Sequence, residues 1–568
     1  MIAENSTTLL PLSSTITGTL LTAFAFCVLA ILAPKAAKTI FYRVGKSFAR
    51  LAARKRLAVL GIFFTLAAIR LLVLPFLPVP VPGIHDEFSY LLMADTFAHG
   101  RLANPSHPMW MSFETFHVNW FPTYSSMYPP AQGFVLALGQ ILGNPWIGVL
   151  LSASAMCAAI LWMLQAWMPS RWALLGAAMA ATKLGFASYW MNSYWGGAVA
   201  AIGGALVLGA LPRITRRPTT RDTLLLGVGI AILANSRPYE GLLLCLPASL
   251  FLLRWLAGIT IPNFHLHQRI RTVLLPLAAL LLLLAAFMGY YNWRLTGSPL
   301  LFPHRLNVRT YDTAPVFIWG HVKPPRQYNN QQFVDFYVDW EREEYPGTFA
   351  GFKSASWLKV TRYSSAFFWM GLLLAFPGLP FALRDGRIRL LVITFFLGLA
   401  GLFTVTWSNS HYAAPLTCVI FALLVQSIRH LRTVRIARRP VGIALSWAIV
   451  ALLAIDTTSA VKHRSCDPLS WTCQGDPSRA SIQKTLENTP GKHLVIVRYA
   501  EDHNVHDEWV FNGAEIDNAK VLWARELAPE QNEKLFAYFK DRQIWLVTPD
   551  TDNTSLEPYS PRQDFSDH

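Results

Sequence analysis

Along the chain, apolar runs recur almost to the end, separated by polar connectors. Runs at 16–32, 57–77, 145–168, 172–189, 197–211, 223–233, 241–257, 273–291, 365–383, 390–406, 412–428 and 441–455 read as membrane helices, about twelve in all. Several are shorter than the ~20 residues a span needs, so their ends are set only to within a few residues. Two connectors are long, 79–144 and 292–364, and a polar tail follows from 457 to 568. In the tail, HLVIVRY, AKVLWARE and QIWLVTPD have the pattern of buried strands, and PEQNEKLFAYFKDR has helical periodicity. The fold class expected is a polytopic all-α membrane protein with a small C-terminal α/β domain. The expected divisions are a first helix and basic linker (1–56), a membrane region (57–456) and the tail (457–568).

Composition supports the membrane reading. Hydrophobic residues make up 53% of the 568 and charged residues only 14%, where a soluble chain carries roughly 25% charged. The net charge of +16 raises the question of a nucleic-acid partner, and its distribution answers it. The basic clusters at 35–56, 213–221, 267–271, 384–389 and 429–439 all fall on one side if the twelve runs cross. The positive-inside rule makes that side cytoplasmic, so the charge reflects topology and no nucleic-acid partner is expected. The long loops and the tail then lie outside. Cys466 and Cys473 lie close together in the tail and are expected to form a disulfide if it faces an oxidising compartment.

The first outer loop opens with GIHDEFSYLLMADTFAHG, which sets Asp86 and Glu87 at the start of an amphipathic helix that Gly100 closes. One reading makes Asp86 the N-cap and Glu87 a partner of the helix dipole. The other makes them catalytic, and a capping carboxylate is still able to act as a base. MWMSFETFHVNWFPTYSSMYPP follows, aromatic and poor in charge, as suits a segment at the headgroup level that anchors the loop or meets a lipid-linked substrate. It carries His117 and Tyr128. AQGFVLALGQILG, too short to span, reads as an interfacial helix. His85, His99, His107 and His117 lack short ligand spacing, so no metal site is read from them.

The Asp-Glu pair just beyond an early span, with SYLLMADTFAHGRLANP, YPPAQGFVLALGQILGNPWIGVLLS and the turn NSRPYEG, resembles the GT-C membrane glycosyltransferases. The nearest are bacterial relatives of the dolichyl-phosphate-mannose protein mannosyltransferases and of the aminoarabinose transferase. The likeness covers roughly 57–455, not the first helix or the tail. It implies a GT-C-like bundle that transfers a sugar from a polyprenyl-phosphate donor to a lipid, glycan or protein acceptor on the outer face, with inversion. In that family the first-loop aspartate, here Asp86, is the general base, and Glu87 is expected to assist it. The departing phosphate needs cations, for which Arg70, Arg101 and Arg237, with Glu240 beside the last, are the main candidates; Arg294 and Arg305 are others. Arg70 is notable because it lies inside an expected span, where charge is costly. A divalent cation is compatible with the family but not required by it. A bacterial plasma membrane is the expected location, with membrane lipids as partners.

Two other classes fit parts of the pattern. A transporter or flippase of lipid-linked saccharides also uses intramembrane charge, but it places functional groups near the midplane, whereas the polar and aromatic residues here concentrate in the outer loops. A non-catalytic envelope scaffold predicts that Asp86→Asn changes nothing.

Overall fold

The computed structural model describes residues 34–186, 188–259, 264–368, 370–436, 439, 441–462, 477–551 and 554–560, and four positions before residue 34. Most of the first expected run, and Cys466 and Cys473 with their expected disulfide, lie outside the described residues.

Five described helices are long and apolar enough to cross a membrane: Pro145–Trp167, Ala198–Arg216, Pro238–Leu256, Leu266–Thr296 and Ser410–Leu431. The bent pair Phe349–Phe367 and Gly371–Arg384 makes a sixth if counted as one span. Among the described residues the expected twelve are therefore not confirmed. Ser170–Lys183 and Arg389–Leu402 have 14 residues each and Thr220–Ala234 has 15. At 1.5 Å per residue, helices of this length fall short of a hydrocarbon core about 30 Å thick. The first described candidate, α1 (Lys55–Leu72), carries Lys55, Arg56 and Arg70 within its 18 residues.

The spans differ in what they face. Leu266–Thr296 turns leucines such as Leu282 and Leu283 outward, 72% and 71% exposed, while most of Ala198–Arg216 is buried. Leucines left outward on so apolar a helix call for lipid rather than water, so the chain is a multi-pass membrane protein. Inner helices pack through small residues: a Cβ on Gly204 would meet the Pro415 carbonyl oxygen at 2.1 Å.

The first long loop is built on α2 (His85–Ala98) and α3 (Pro130–Ile141), which is the short helix expected there. The two approach closely because position 133 has no side chain; a Cβ there would lie 2.2 Å from Met93 Sδ. Between them a small hairpin pairs β1 (Val118–Asn119) with β2 (Ser125–Ser126). Ser89 of α2 fixes the hairpin by donating to the His117 carbonyl at 2.8 Å, and it lies 2.7 Å from the Ser126 hydroxyl.

The tail forms a four-stranded sheet in the order β4-β3-β5-β6, of β3 (Lys492–Val497), β4 (Val521–Arg525), β5 (Arg542–Val547) and β6 (Leu556–Pro558). The first three are the strands expected from the sequence, and they run parallel, with β6 antiparallel at one edge. The expected helix, Pro529–Tyr538, links β4 to β5. Parallel strands need cover on both faces. Here one face (Val495, Val497, Trp523) packs with Leu486 and Trp509, and the other (Leu494, Ile496, Leu522) packs with Leu92, Phe113 and Trp120 of the first outer loop. The sheet and the loop thus share a core.

Candidate functional site

The helix that begins at His85 is not capped by Asp86. Ile84 occupies the N-cap position without a side-chain cap bond, because an isoleucine carries no acceptor. Glu87 does the local bonding instead. Its two carboxylate oxygens accept from the Gly83 N–H at 2.9 Å and from the Tyr194 N–H at 2.8 Å. It therefore joins the loop entering α2 to the turn before Ala198, and burial pushes its carboxyl up to about 7 despite those N–H donors.

Asp86 is left for other partners. The Tyr128 hydroxyl donates to its Oδ1, and its Oδ2 lies 3.1 Å from His85 Nδ1 and 3.9 Å from His117 Nε2. The hairpin explains the convergence, since His117 precedes β1 and Tyr128 follows β2. Burial opposes the Asp86 charge most strongly, yet His117, His85 and the Tyr128 hydroxyl together hold the carboxyl below the usual range. Burial pushes His117 down to about 3, so at neutral pH an ionised carboxylate faces a neutral imidazole. His117 also has φ of 61°, a left-handed conformation uncommon for a residue with a side chain.

The tail supplies a further imidazole. After β3 the chain carries His506 back to His85, with Nδ1 3.4 Å from its Nε2, and the His506 ring packs edge-on against Trp340 at 4.7 Å. Burial pushes His506 down to about 3 as well. No sequence spacing links residues 421 positions apart, and this contact had no signal in the sequence.

The other candidates divide into two groups. Arg237 stays with the site: its guanidinium lies 4.1 Å over the Tyr412 ring, in electrostatic reach of Glu240, Tyr412, Tyr90 and Tyr128. It also acts on His304, which burial first and Arg237 second push down to about 4. Arg70 is buried against Trp146 and donates to the carbonyls of Leu77 and Pro78 and to Asn192 Oδ1 at 2.8–3.1 Å. Arg101 pairs with Glu515 of the tail. His99 and His107 pair with Asp95 and Asp517, while Arg294 and Arg305 remain exposed.

His85, Asp86 and His117 offer three ligand atoms within 4.8 Å of one another. His85 Nδ1 is buried, and its close polar neighbour, Asp86 Oδ2 at 3.1 Å, is not aligned for a hydrogen bond. An imidazole nitrogen left in that geometry beside a carboxylate fits a metal ligand, and two imidazoles suit zinc better than magnesium or calcium.

In its fold the chain is similar to ArnT from Cupriavidus metallidurans, determined with bound undecaprenyl phosphate. The identity is 13%, 86% of this chain and 93% of that one are covered, and the TM-score is 0.48. It is also similar to the archaeal oligosaccharyltransferase AglB from Archaeoglobus fulgidus, in complex with an inhibitory peptide and a dolichol-phosphate. There the identity is 11%, the coverage 87% and 69%, and the TM-score 0.45. No protein-family model matches the chain, and no curated protein sequence does.

Proposed function

We propose that this protein transfers a sugar from a polyprenyl-phosphate donor to an acceptor hydroxyl or amine on the outer face of the membrane. The observation that carries the reading is an ionised, buried Asp86, relieved of helix capping, with Arg237 in the same electrostatic neighbourhood. The acceptor O–H or N–H attacks the anomeric carbon and its proton passes to Asp86. The bond from that carbon to the phosphate oxygen breaks, and polyprenyl phosphate leaves with the electron pair. Arg237 meets the charge growing on that phosphate, and Tyr128 holds the base in register through Oδ1. Glu87 assists by positioning, through the two backbone N–H groups it accepts. The undecaprenyl phosphate in ArnT and the dolichol-phosphate in AglB are of the same chemical class as the proposed leaving group; the proposal rests on the site and on the sequence motifs.

The His85 nitrogen beside Asp86 favours a second reading of the same cluster. His85, Asp86 and His117 would hold a divalent cation, which supplies positive charge beside the leaving phosphate. One assay addresses both: purified wild type and Asp86→Asn with a panel of polyprenyl-phosphate sugars, with and without a chelator. Loss of a general base predicts a fall in turnover of about 10²–10⁴ in Asp86→Asn, and full turnover in that variant would overturn the assignment. Chelator-sensitive turnover restored by zinc supports the cation reading, and insensitivity removes it.

A further inference from the structure

Between the two outer loops lies a cavity of about 310 Å³. This is within the range of small-ligand pockets. Its walls include the rings of Trp110, Trp120, Tyr311 and Tyr328, and its polar groups include Glu114, Asn119, Thr310, Gln327 and Asn329. Glu114 is buried and accepts from the Tyr311 hydroxyl and from Asn329 Nδ2, both at 3.0 Å. The Trp120 indole N–H is buried and has no hydrogen-bond partner among the described residues.

This chemistry discriminates between ligand classes. A phosphate needs a cation, and no Lys or Arg lines the cavity among the described residues. An acyl chain would leave a carboxylate and three amides facing hydrocarbon. An ammonium would suit the aromatic rings, but the Glu114 oxygens it would pair with already accept from Tyr311 and Asn329, and burial opposes the Glu114 charge although those two donors and Arg525 favour it. A neutral sugar ring satisfies every element. Its C–H faces stack on indole and phenol rings, and its hydroxyls meet planar amides, the carboxylate and the free indole N–H.

We propose that this cavity binds a saccharide unit of the acceptor, so that the acceptor is a glycan chain whose end reaches Asp86. The inference rests on the glycosyltransferase reading for its role but on the cavity alone for its ligand. Glu114 lines the cavity, and His117, three positions later in the chain, has its Nε2 3.9 Å from Asp86 Oδ2.

The test is saturation-transfer NMR and tryptophan fluorescence on the full chain in detergent, with neutral hexose and pentose oligosaccharides of two to four units. A peptide rich in serine and threonine and a soluble lipid headgroup analogue complete the panel. At least one neutral oligosaccharide is expected to bind, and Trp110→Ala and Gln327→Ala to weaken it. Loss of a stacking aromatic is expected to cost on the order of tenfold. Gln327 is exposed, so that variant keeps the test independent of folding. Binding of only the peptide or the headgroup, no binding by any oligosaccharide, or binding indifferent to both variants would overturn the proposal. Turnover onto a non-carbohydrate acceptor without sugar binding would sink this inference and spare the proposed function. Sugar binding with no transfer from any lipid-phosphate donor would do the reverse.

Discussion

At Asp86 the decisive fact is the division of labour between adjacent carboxylates. Glu87 takes two backbone N–H groups and becomes structural, and Asp86 meets only side chains. His117 shows a related separation of backbone and side-chain roles. Asparagine tolerates its left-handed conformation, so His117→Asn is expected to keep stability within about 1 kcal/mol while turnover falls. His117→Val should cost roughly 1–2 kcal/mol more, because a β-branched residue is strained there. Thermal unfolding and a turnover assay on the two variants check this. His304 gives a pH signature. It titrates near 6.5 when unfolded but at about 4 when folded, so between those values the unfolded state binds more protons. Its contribution therefore rises as pH increases from about 4 to about 6.5. Comparing wild type with His304→Gln by denaturant unfolding across that window should show a flatter profile in the variant.

At the scale of elements, α2 serves two cores at once. Tyr90 and Ala94 pack with the membrane bundle, and Leu92 packs with Leu494 and Leu522 of the sheet. Phe88 stacks on Phe511 at 4.7 Å, and Asp95 accepts from the Ala514 N–H at 2.7 Å. The sheet thereby helps hold the first turn of α2, where Asp86 sits. Leu92 is fully buried, and Leu92→Ala is expected to cost about 2–5 kcal/mol. If the sheet supports the site, turnover in that variant falls at temperatures where the bundle is still folded. Parallel readings of tail protection by hydrogen exchange and of activity would show whether they decline together.

For the whole molecule, the charge of the connectors sets the orientation. The basic clusters predict that the loops and tail share one side and the 384–389 connector the other. In a background without native cysteines, Glu501→Cys is expected to react with a membrane-impermeant maleimide from outside, and Gly386→Cys only after permeabilisation. Both positions are exposed. Labelling of both from the same side would overturn the orientation.

Hydropathy alone was enough to identify the membrane class, since leucine-rich runs such as Leu266–Thr296 have nowhere stable to lie except in lipid. Short continuous apolar runs likewise located β3, β4 and β5 in the tail, because strands buried on both faces are apolar along their length. The number of spans was less legible, as apolar composition reports burial but not whether a 14-residue helix faces lipid or protein. Asp86 stood out in the sequence because it opens a helix just beyond an early apolar run. Its surroundings did not. His85, His117, Tyr128 and His506 meet only when a hairpin folds onto α2 and a sheet more than 400 residues away closes over both. The same holds for the aromatic cavity, whose walls come from two loops. Local pattern fixes which segments are helix or strand, while contacts between distant segments depend on packing, and packing alone brought this site together.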